Sequence, residues 1–298
     1  MKKRLITGIS GALFAIALVV FMQIPGVMGI PVAFFSAVSI HEIMHVAGNK
    51  NKVITVLGMI VAAAMPLYSD VKGYVTYHVG SDFFEKIALP PSVLLIFYII
   101  VILCVTLKMY DKTRFEDTAM LIFSSLAIGF SNSFMFLIRD LDHTYPEYFQ
   151  PAQTRFFILA ALYCAWLSDA FAYFFGRKLG KHKLAPKISP KKSVEGAVAG
   201  VLGTELITFI TYIIASHYFD RHPDTFNFLI VFPIVAIVVI MGMCGDLTAS
   251  VLKRNYGVKD YGTFFPGHGG VMDRFDSYLL TLPTTYGIIT LIMYFAER

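Results

Sequence analysis

The feature that most constrains this chain is a succession of apolar stretches, each long enough to cross a lipid bilayer. A helix needs about 20 mostly apolar residues to span the hydrocarbon core, and such stretches recur from one end of the sequence to the other. We predict transmembrane helices at about 5–22, 26–46, 53–68, 87–107, 117–138, 155–175, 194–216, 227–252 and 277–296. The predicted fold class is therefore all-α: a polytopic helical integral membrane protein with about nine transmembrane helices.

Composition argues against a soluble architecture. Hydrophobic residues make up 56% of the 298 residues and the mean hydropathy is +0.66, whereas soluble domains are about 45–50% apolar. No long stretch is polar enough to coat a globule. The three cysteines, Cys104, Cys164 and Cys244, lie in apolar runs without C-x-x-C spacing. We interpret them as small buried hydrophobic residues.

Basic residues orient the predicted helices, because cytoplasmic loops of membrane proteins carry an excess of lysine and arginine. With the N-terminus inside, 19 of the 25 basic residues fall on the cytoplasmic side. This distribution predicts a cytoplasmic N-terminus and an external C-terminus. The first apolar stretch follows Lys2, Lys3 and Arg4 as in a signal peptide, but no clean cleavage site follows it. We therefore expect a retained first helix.

Chemistry is expected in the second half of the chain. We divide the sequence into N-terminal membrane helices, 1–153, for scaffold, lipid access and dimer contacts, and a C-terminal catalytic membrane region, 154–298. Two predicted cytoplasmic loops of the second region are dense in charged residues, glycine and proline. The net charge of +5 is thus interpreted as attraction for phosphates and anionic lipids, not for nucleic acid.

The first charged stretch runs over 168–196. Asp169 lies inside the sixth predicted helix, where a carboxylate is costly and indicates function. Asp169, Tyr173 and Arg177 are four residues apart and share one helix face. Seven basic residues begin at Arg177, in a loop that two prolines stiffen. This loop is either an anchor for anionic headgroups or a binding site for an anionic substrate, and we favour the substrate for the loop as a whole.

The second charged stretch, 245–276, combines metal-binding and phosphate-binding residue types. Asp246, Ser250 and Lys253 fall at i, i+4 and i+7, on one face at the end of the eighth predicted helix. A carboxylate, a hydroxyl and an ammonium together suit a metal-bound phosphate. The glycine-rich residues 266–270 can offer backbone N–H groups to phosphate oxygens.

Two acids follow the glycine-rich segment. Asp273 together with Asp246 predicts a magnesium site, because hard carboxylate oxygens among phosphate-seeking cations favour Mg²⁺ bound with a nucleotide. Asp276 lies near the start of the ninth predicted helix and is either a helix cap or a substrate-binding residue.

Residues 250–276 read Ser-x-Leu-Lys-Arg-x4-Lys-Asp-x-Gly-x2-Phe-Pro-x-His-Gly-Gly-Val-x-Asp-Arg-Phe-Asp. This long, gapped pattern resembles that of the phosphatidate cytidylyltransferase (CDP-diacylglycerol synthase) family. The 168–196 stretch is similar to the same family in Asp-x-x-Ala-Tyr, Gly-Arg, Gly-Lys-His-Lys-Leu, Ile-Ser-Pro-Lys-Lys and Glu-Gly. Ala249 stands where the family commonly has Glu, and Ala170 where it commonly has Thr.

The resemblance implies that CTP and phosphatidate react to CDP-diacylglycerol and pyrophosphate. It implies metal-binding aspartates at Asp246 and Asp273, with Ser250 and Lys253 completing the catalytic set. It also implies Mg²⁺, potassium as a second ion, a homodimer, and an active site that faces the cytoplasm from the inner cell membrane. The predicted substrate-binding residues are the polar and glycine members of the two stretches: Asp169, Arg177, Lys181, His182, Lys183, Ser189, Lys191, Lys192, Arg254, Lys259, Asp260, His268, Gly269, Gly270, Arg274 and Asp276.

Two other function classes stay open at the level of sequence. His41-Glu42-x-x-His45 fits the pattern of zinc proteases and would indicate an intramembrane metalloprotease. The motif is short, and we favour a structural or cavity-facing helix surface over a protease. The cationic loops would also serve a protein that binds or transports an anionic lipid, but that class does not explain aspartates embedded among the cations.

Overall fold

The computed structural model describes residues 2–80, 90–217, 228–267 and 269–298. Its α-helices in these residues are α1 (Lys2–Val20), α2 (Gly29–Val46), α3 (Lys52–Tyr74), α4 (Pro91–Lys108), α5 (Phe115–Arg139), α6 (Leu141–Thr144), α7 (Pro151–Leu179), α8 (Val194–Ser216), α9 (Phe228–Asn255), α10 (Met272–Phe275) and α11 (Tyr278–Ala296). A π-helical turn, Val75–Val79, extends α3, and a 3₁₀ turn covers Tyr110–Lys112. Strands β1 (Lys183–Ala185) and β2 (Ser189–Ser193) form an antiparallel hairpin.

Eight helical segments of the described chain are long and apolar enough to cross a membrane. They are α2, α3, α4, α5, α7, α8, α9 and the continuous segment from Met272 to Ala296. The prediction of a polytopic all-α membrane protein is confirmed. The apolar part of α1 counted in this search, Ser10–Val20, is shorter than a span, so the ninth span stays a prediction.

The third predicted span, 53–68, was too short. Helix α3 continues to Tyr74 although Asp70 lies in its last turns. Asp70 is only 1% exposed, and its carboxylate accepts a hydrogen bond from the backbone N–H of Gly26 at 3.0 Å. A polar residue that is paired in this way does not end an apolar helix.

The described chain divides into two compact units. Unit 1 comprises residues 1–136 and 260–274. Within it α2 packs mainly on α3, and α3 meets α5 closely where an added Cβ at Gly129 would lie 3.2 Å from the backbone of Ala62. Asn51 caps α3 by accepting from Val53 N–H at 3.0 Å. Unit 1 therefore joins two segments that are far apart in the sequence.

Unit 2 comprises residues 137–259 and 275–298. Helices α7 and α8 form its most extensive contact, and α9 packs on α7, α8 and α11. The β1–β2 hairpin lies in the predicted basic loop between α7 and α8, where no strand was predicted. Within this unit the ring centroid of Trp166 lies 6.4 Å from that of Phe275 and 5.8 Å from that of Tyr278.

Candidate active site

Unit 2 brings residues from both predicted stretches into one charged cluster. The Lys192 ammonium, at the end of the hairpin, donates to the Asp246 carboxylate of α9 and lies 3.8 Å from Oδ1 of Asp169 on α7. The Asp276 carboxyl lies within hydrogen-bonding reach of that of Asp246. We call Asp169, Lys192, Asp246 and Asp276 the carboxylate–lysine cluster. Three acids around one ammonium show that the two stretches form one site within this unit.

The electrostatics of Lys192 follow from this placement. Burial acts to lower the pKa of Lys192, because a low-dielectric environment disfavours the charged form. The neighbouring carboxylates, first Asp169 and then Asp246, outweigh burial and hold the pKa above its ordinary value of 10.5. Lys192 is therefore a permanent cation at neutral pH.

Close packing places Asp246 in the cluster. A Cβ added at the preceding residue, Gly245, would lie 2.9 Å from the carbonyl oxygen of Asp276. Only glycine at position 245 therefore lets α9 pack this closely against the backbone of Asp276. Ser250 and Lys253 follow on the same face of α9, and both are buried, each 7% exposed. The predicted shared face of Asp246, Ser250 and Lys253 is thus present in the structure, and Lys253 lies near enough to interact electrostatically with Asp246 and Asp276.

Asp276 also accepts a hydrogen bond at the start of α11. Its Oδ1 accepts from the backbone N–H of Ser277 at 2.8 Å, and the residue is 4% exposed. The two readings of Asp276, helix start and site residue, are therefore compatible in this geometry.

The basic hairpin is organised by a residue that had no predicted role. Glu195, in the first turn of α8, accepts from the backbone N–H of Lys181 at 3.0 Å and contacts Nδ1 of His182 at 2.6 Å. The side chain of Arg254 donates to the carbonyl oxygens of Ile188 and Val258 at 3.2 and 2.9 Å. The sequence offered two signals for Glu195: its place in the Glu-Gly pair of the family-like stretch, and its position, since acids favour a helix N-terminus.

Several predicted substrate-binding residues of unit 2 lie on its exposed surface or are half-buried. Ser189 is half-buried, and the other members of this group are exposed: Arg177, Lys181, His182, Lys183, Lys191, Arg254 and Lys259. Exposed cations fit a role in attracting phosphate groups. Their binding role stays a prediction.

In unit 1 the second stretch forms a turn around Asp273. Oδ2 of Asp273 accepts from the backbone N–H groups of Tyr261 and Gly270 at 2.8 and 2.9 Å. Gly269 has φ +87°, a left-handed conformation that favours glycine. The N–H of Gly270 is thus already bonded within the protein. Asp260 and Arg274 are exposed, and the predicted residue His268 lies outside the described residues.

The three residues of the zinc-protease motif are not arranged as a metal site. Glu42 is 6% exposed, and its two oxygens accept from the backbone N–H groups of Val271 and Met272 at 3.0 and 2.9 Å. His41 and His45 are exposed and stack on each other at 6.3 Å. Among the described residues no group of three His, Cys, Asp or Glu side chains is arranged to hold a metal. The protease alternative receives no support.

The donor chemistry of the carboxylate–lysine cluster fits magnesium. Mg²⁺ is usually bound by one or two carboxylates together with substrate phosphates and water. Asp246 and Asp276 supply two adjacent carboxyl groups, and the ammonium groups of Lys192 and Lys253 lie near Asp246. Asp273, the second predicted metal ligand, belongs to unit 1, and its metal role stays a prediction.

Comparison with known proteins gives a consistent result. Residues 2–292 match the model of the Cytidylyltransferase family. The chain is 29% identical over 291 residues to the phosphatidate cytidylyltransferase of Bacillus subtilis (strain 168), covering 98% of each chain. It is 30% identical over 287 residues to that of Staphylococcus haemolyticus (strain JCSC1435) and 31% identical over 287 residues to that of Staphylococcus aureus (strain COL). Both matches cover 95% of this chain and 96% of the relative.

Proposed function

The chain belongs to the Cytidylyltransferase family, and from this premise we propose that it transfers the cytidylyl group of CTP to phosphatidate. The products are CDP-diacylglycerol and pyrophosphate, so the enzyme is a nucleotidyltransferase of phospholipid biosynthesis. The observation that carries the proposal is the carboxylate–lysine cluster. It joins Asp169 and Lys192 of the first stretch to Asp246 and Asp276 of the second, the same two stretches on which the family resemblance rests.

The reaction makes one bond and breaks one bond. A phosphate oxygen of phosphatidate attacks the α-phosphorus of CTP, and the bond from that phosphorus to the β-phosphate oxygen breaks to release pyrophosphate. Phosphate oxygens are ionised near neutral pH, so no strong base is required. Catalysis then depends on positioning and on neutralising the charge of the phosphates.

The residues of unit 2 supply these effects. Lys253, buried beside Asp246, is fixed by packing and offers its charge to a phosphate. Lys191, Lys192 and Arg254 add cations from the hairpin and the end of α9, and Ser250 orients a phosphate oxygen through its hydroxyl. Asp169 holds Lys192 in place from α7 at 3.8 Å.

Asp246 and Asp276 would hold Mg²⁺ in unit 2. A metal-binding role of Asp273, in unit 1, is a proposal that rests on the sequence and on the resemblance. When bound, the ion supplies Lewis-acid polarisation of the phosphates and offsets their negative charge. Potassium as a second ion stays a proposal that rests on the resemblance.

We extend the proposal to the cellular setting. The protein is a multi-pass membrane protein, and we place it in the inner cell membrane with its site on the cytoplasmic side, where CTP is available. A homodimer and contact with membrane lipids are part of the same proposal. The uneven distribution of basic residues supports the orientation.

The test is release of pyrophosphate by the purified protein in detergent, supplied with CTP and phosphatidate. We expect release that requires both substrates and stops when Mg²⁺ is chelated. Binding of phosphatidate without turnover, in a folded sample, would instead favour the lipid-binding or transport class. Turnover that persists after complete removal of divalent ions would reject the proposed requirement for Mg²⁺ but not the proposed reaction.

A further inference from the structure

Glu42 joins α2 to a turn that lies more than two hundred residues later in the chain. Its Oε1 accepts from the backbone N–H of Val271 at 3.0 Å and its Oε2 from that of Met272 at 2.9 Å. These amides begin α10, so the carboxylate satisfies donors that have no partner within the helix. Hydrogen bonds to a buried charged acceptor are among the strong ones in proteins.

The turn is shaped around this carboxylate. An added Cβ at Gly262 would lie 2.5 Å from Oε1 of Glu42, and one at Gly270 would lie 2.4 Å from Oε2. Either contact is too short for real atoms, so both positions need glycine while Glu42 keeps its place. The backbone at Gly262 and at Gly270 therefore lies directly against the carboxylate of Glu42.

Glu42 and Asp273 bond successive amides of the same turn. The N–H of Gly270 goes to Oδ2 of Asp273, whereas those of Val271 and Met272 go to Glu42. Oδ2 of Asp273 also accepts from Tyr261 N–H. The orientation of the Asp273 carboxylate is thus tied to a backbone whose next two amides are held by Glu42.

We propose that Glu42 is a positioning residue, which fixes the 269–273 turn and thereby the direction of the Asp273 carboxylate. The role of Asp273 in catalysis rests on the proposed function above, whereas the effect of Glu42 on the turn does not. His41 and His45, the other members of the motif, have exposed side chains on the same helix, so the motif divides into one buried structural anchor and two surface residues.

The decisive variant is Glu42→Gln, which keeps the size but removes the second acceptor. A glutamine oxygen accepts one of the two amides, while its NH₂ group faces the other donor. Partners that orient metal-binding or catalytic groups typically contribute about 10- to 100-fold in activity or metal affinity. We expect turnover to fall by about that factor and the Mg²⁺ concentration for half-maximal activity to rise. Hydrogen exchange at 270–272, followed by mass spectrometry, should become faster.

Matched controls are His41→Gln and His45→Gln, which change exposed side chains one residue before and three residues after Glu42. Both should keep wild-type turnover, Mg²⁺ dependence and exchange at 270–272. If Glu42→Gln does not fold, Glu42→Asp takes its place, since it keeps the charge but is too short to reach both amides.

Three results would overturn the proposal. The first is unchanged exchange at 270–272 in the folded variant. The second is faster exchange with normal turnover and normal Mg²⁺ dependence. The third is lower activity that follows only the loss of folded protein, with unchanged half-maximal Mg²⁺. If the wild-type protein releases no pyrophosphate, the proposed function fails, and hydrogen exchange alone still decides whether Glu42 fixes the turn.

Discussion

At the scale of single residues, Lys192 is the residue whose contacts best distinguish the site from an ordinary basic loop. A lysine in a basic loop is ordinarily a solvated anchor, and six other basic residues share its loop. The ammonium of Lys192 donates to the carboxylate of Asp246 and lies 3.8 Å from Oδ1 of Asp169. Its neighbour Lys191 is exposed. Along β2, the exposed Lys191 is therefore followed by a half-buried lysine that forms ion pairs.

The Asp246 carboxylate is expected to be essential for turnover. Asp246→Asn removes its charge beside Lys192 and Asp276 without changing its size. Loss of one preorganised electrostatic group typically costs about 10²–10³-fold in turnover, and we expect a loss of at least this order in pyrophosphate release. Asp111→Asn, an exposed acid of the 3₁₀ turn, is the matched control. Near-normal turnover of folded Asp246→Asn would refute the proposed role.

The ion pairs of Lys192 predict a defined dependence of stability on pH. Because the pKa of Lys192 is raised in the folded protein, its stabilising contribution is complete below about pH 10.5. The contribution is lost as the pH rises through the higher folded value. We expect Lys192→Met to lower the free energy of unfolding by about 1–2 kcal/mol, since the pair is only partly buried.

The measurement is the thermal midpoint of wild type and Lys192→Met in detergent between pH 7 and pH 11. The difference between the two should stay constant up to about pH 10.5 and shrink above it. A difference that already disappears between pH 7 and pH 9 would contradict the raised pKa. Lys191→Met, at the exposed neighbouring position, should show no comparable difference.

The spacing of residues in the sequence predicted only part of this site. Helical spacing correctly placed Asp246, Ser250 and Lys253 on one face, because that relation is local. The contact between Lys192 and Asp246 depends on how a hairpin folds back on α9, and spacing in the sequence carries no information about it. The contacts of Glu42 could not be predicted for the same reason, since its partners are backbone amides of Val271 and Met272, which no side-chain pattern records.

At the scale of secondary-structure elements, the contact between α7 and α8 depends on glycine. An added Cβ at Gly196 would lie 2.7 Å from the carbonyl oxygen of Ala172 and 3.0 Å from the Cα of Gly176. Small residues let membrane helices approach closely, so that van der Waals packing can hold them together. Because β2 leads directly into α8, this contact also fixes the base of the hairpin that carries Lys192.

Gly196→Val should therefore weaken unit 2. Overpacking of a close contact costs typically about 1–3 kcal/mol, and we expect a loss of stability in this range together with lower turnover. The fluorescence of Trp166, the single tryptophan of the chain, follows unfolding of this unit. Gly287→Val in α11 is the control, since an added Cβ there meets nothing within 4 Å. Equal stability of the two variants would show that the close contact at Gly196 does not contribute to the stability of unit 2.

Helix identity was predictable in this chain, and helix bounds were less so. Long apolar runs favour spans irrespective of their neighbours, and the predicted runs correspond to described helices within a few residues at most ends. The exception is the third span, which was predicted to end at 68 although α3 continues past the buried, hydrogen-bonded Asp70 to Tyr74. The β1–β2 hairpin was not predicted, because its sequence is polar and rich in lysine and lacks the alternation typical of strands.

At the scale of the whole molecule, hydropathy predicted the class and the family match confirmed the resemblance drawn from residues 168–196 and 250–276. Hydropathy does not determine which segments of the chain share a compact unit. The segment 260–274 belongs to unit 1 although it follows α9 of unit 2 in the sequence. The functional division predicted from the sequence lies between residues 153 and 154. That functional division stays a prediction.

Orientation in the membrane is the last property that the sequence predicts, and it can be measured directly. With 19 of 25 basic residues on one side, the hairpin should face the cytoplasm and the loop after α6 the outside. After replacement of Cys104, Cys164 and Cys244, single cysteines are introduced as Lys187→Cys and Glu147→Cys, both exposed positions. A membrane-impermeant maleimide should label position 147 in intact spheroplasts and position 187 only in inverted vesicles. The cysteine-free protein controls for background, and retained pyrophosphate release shows that each variant is folded. The reverse labelling would place the carboxylate–lysine cluster on the side of the membrane without CTP, and would reject the cytoplasmic site together with the reaction proposed for it.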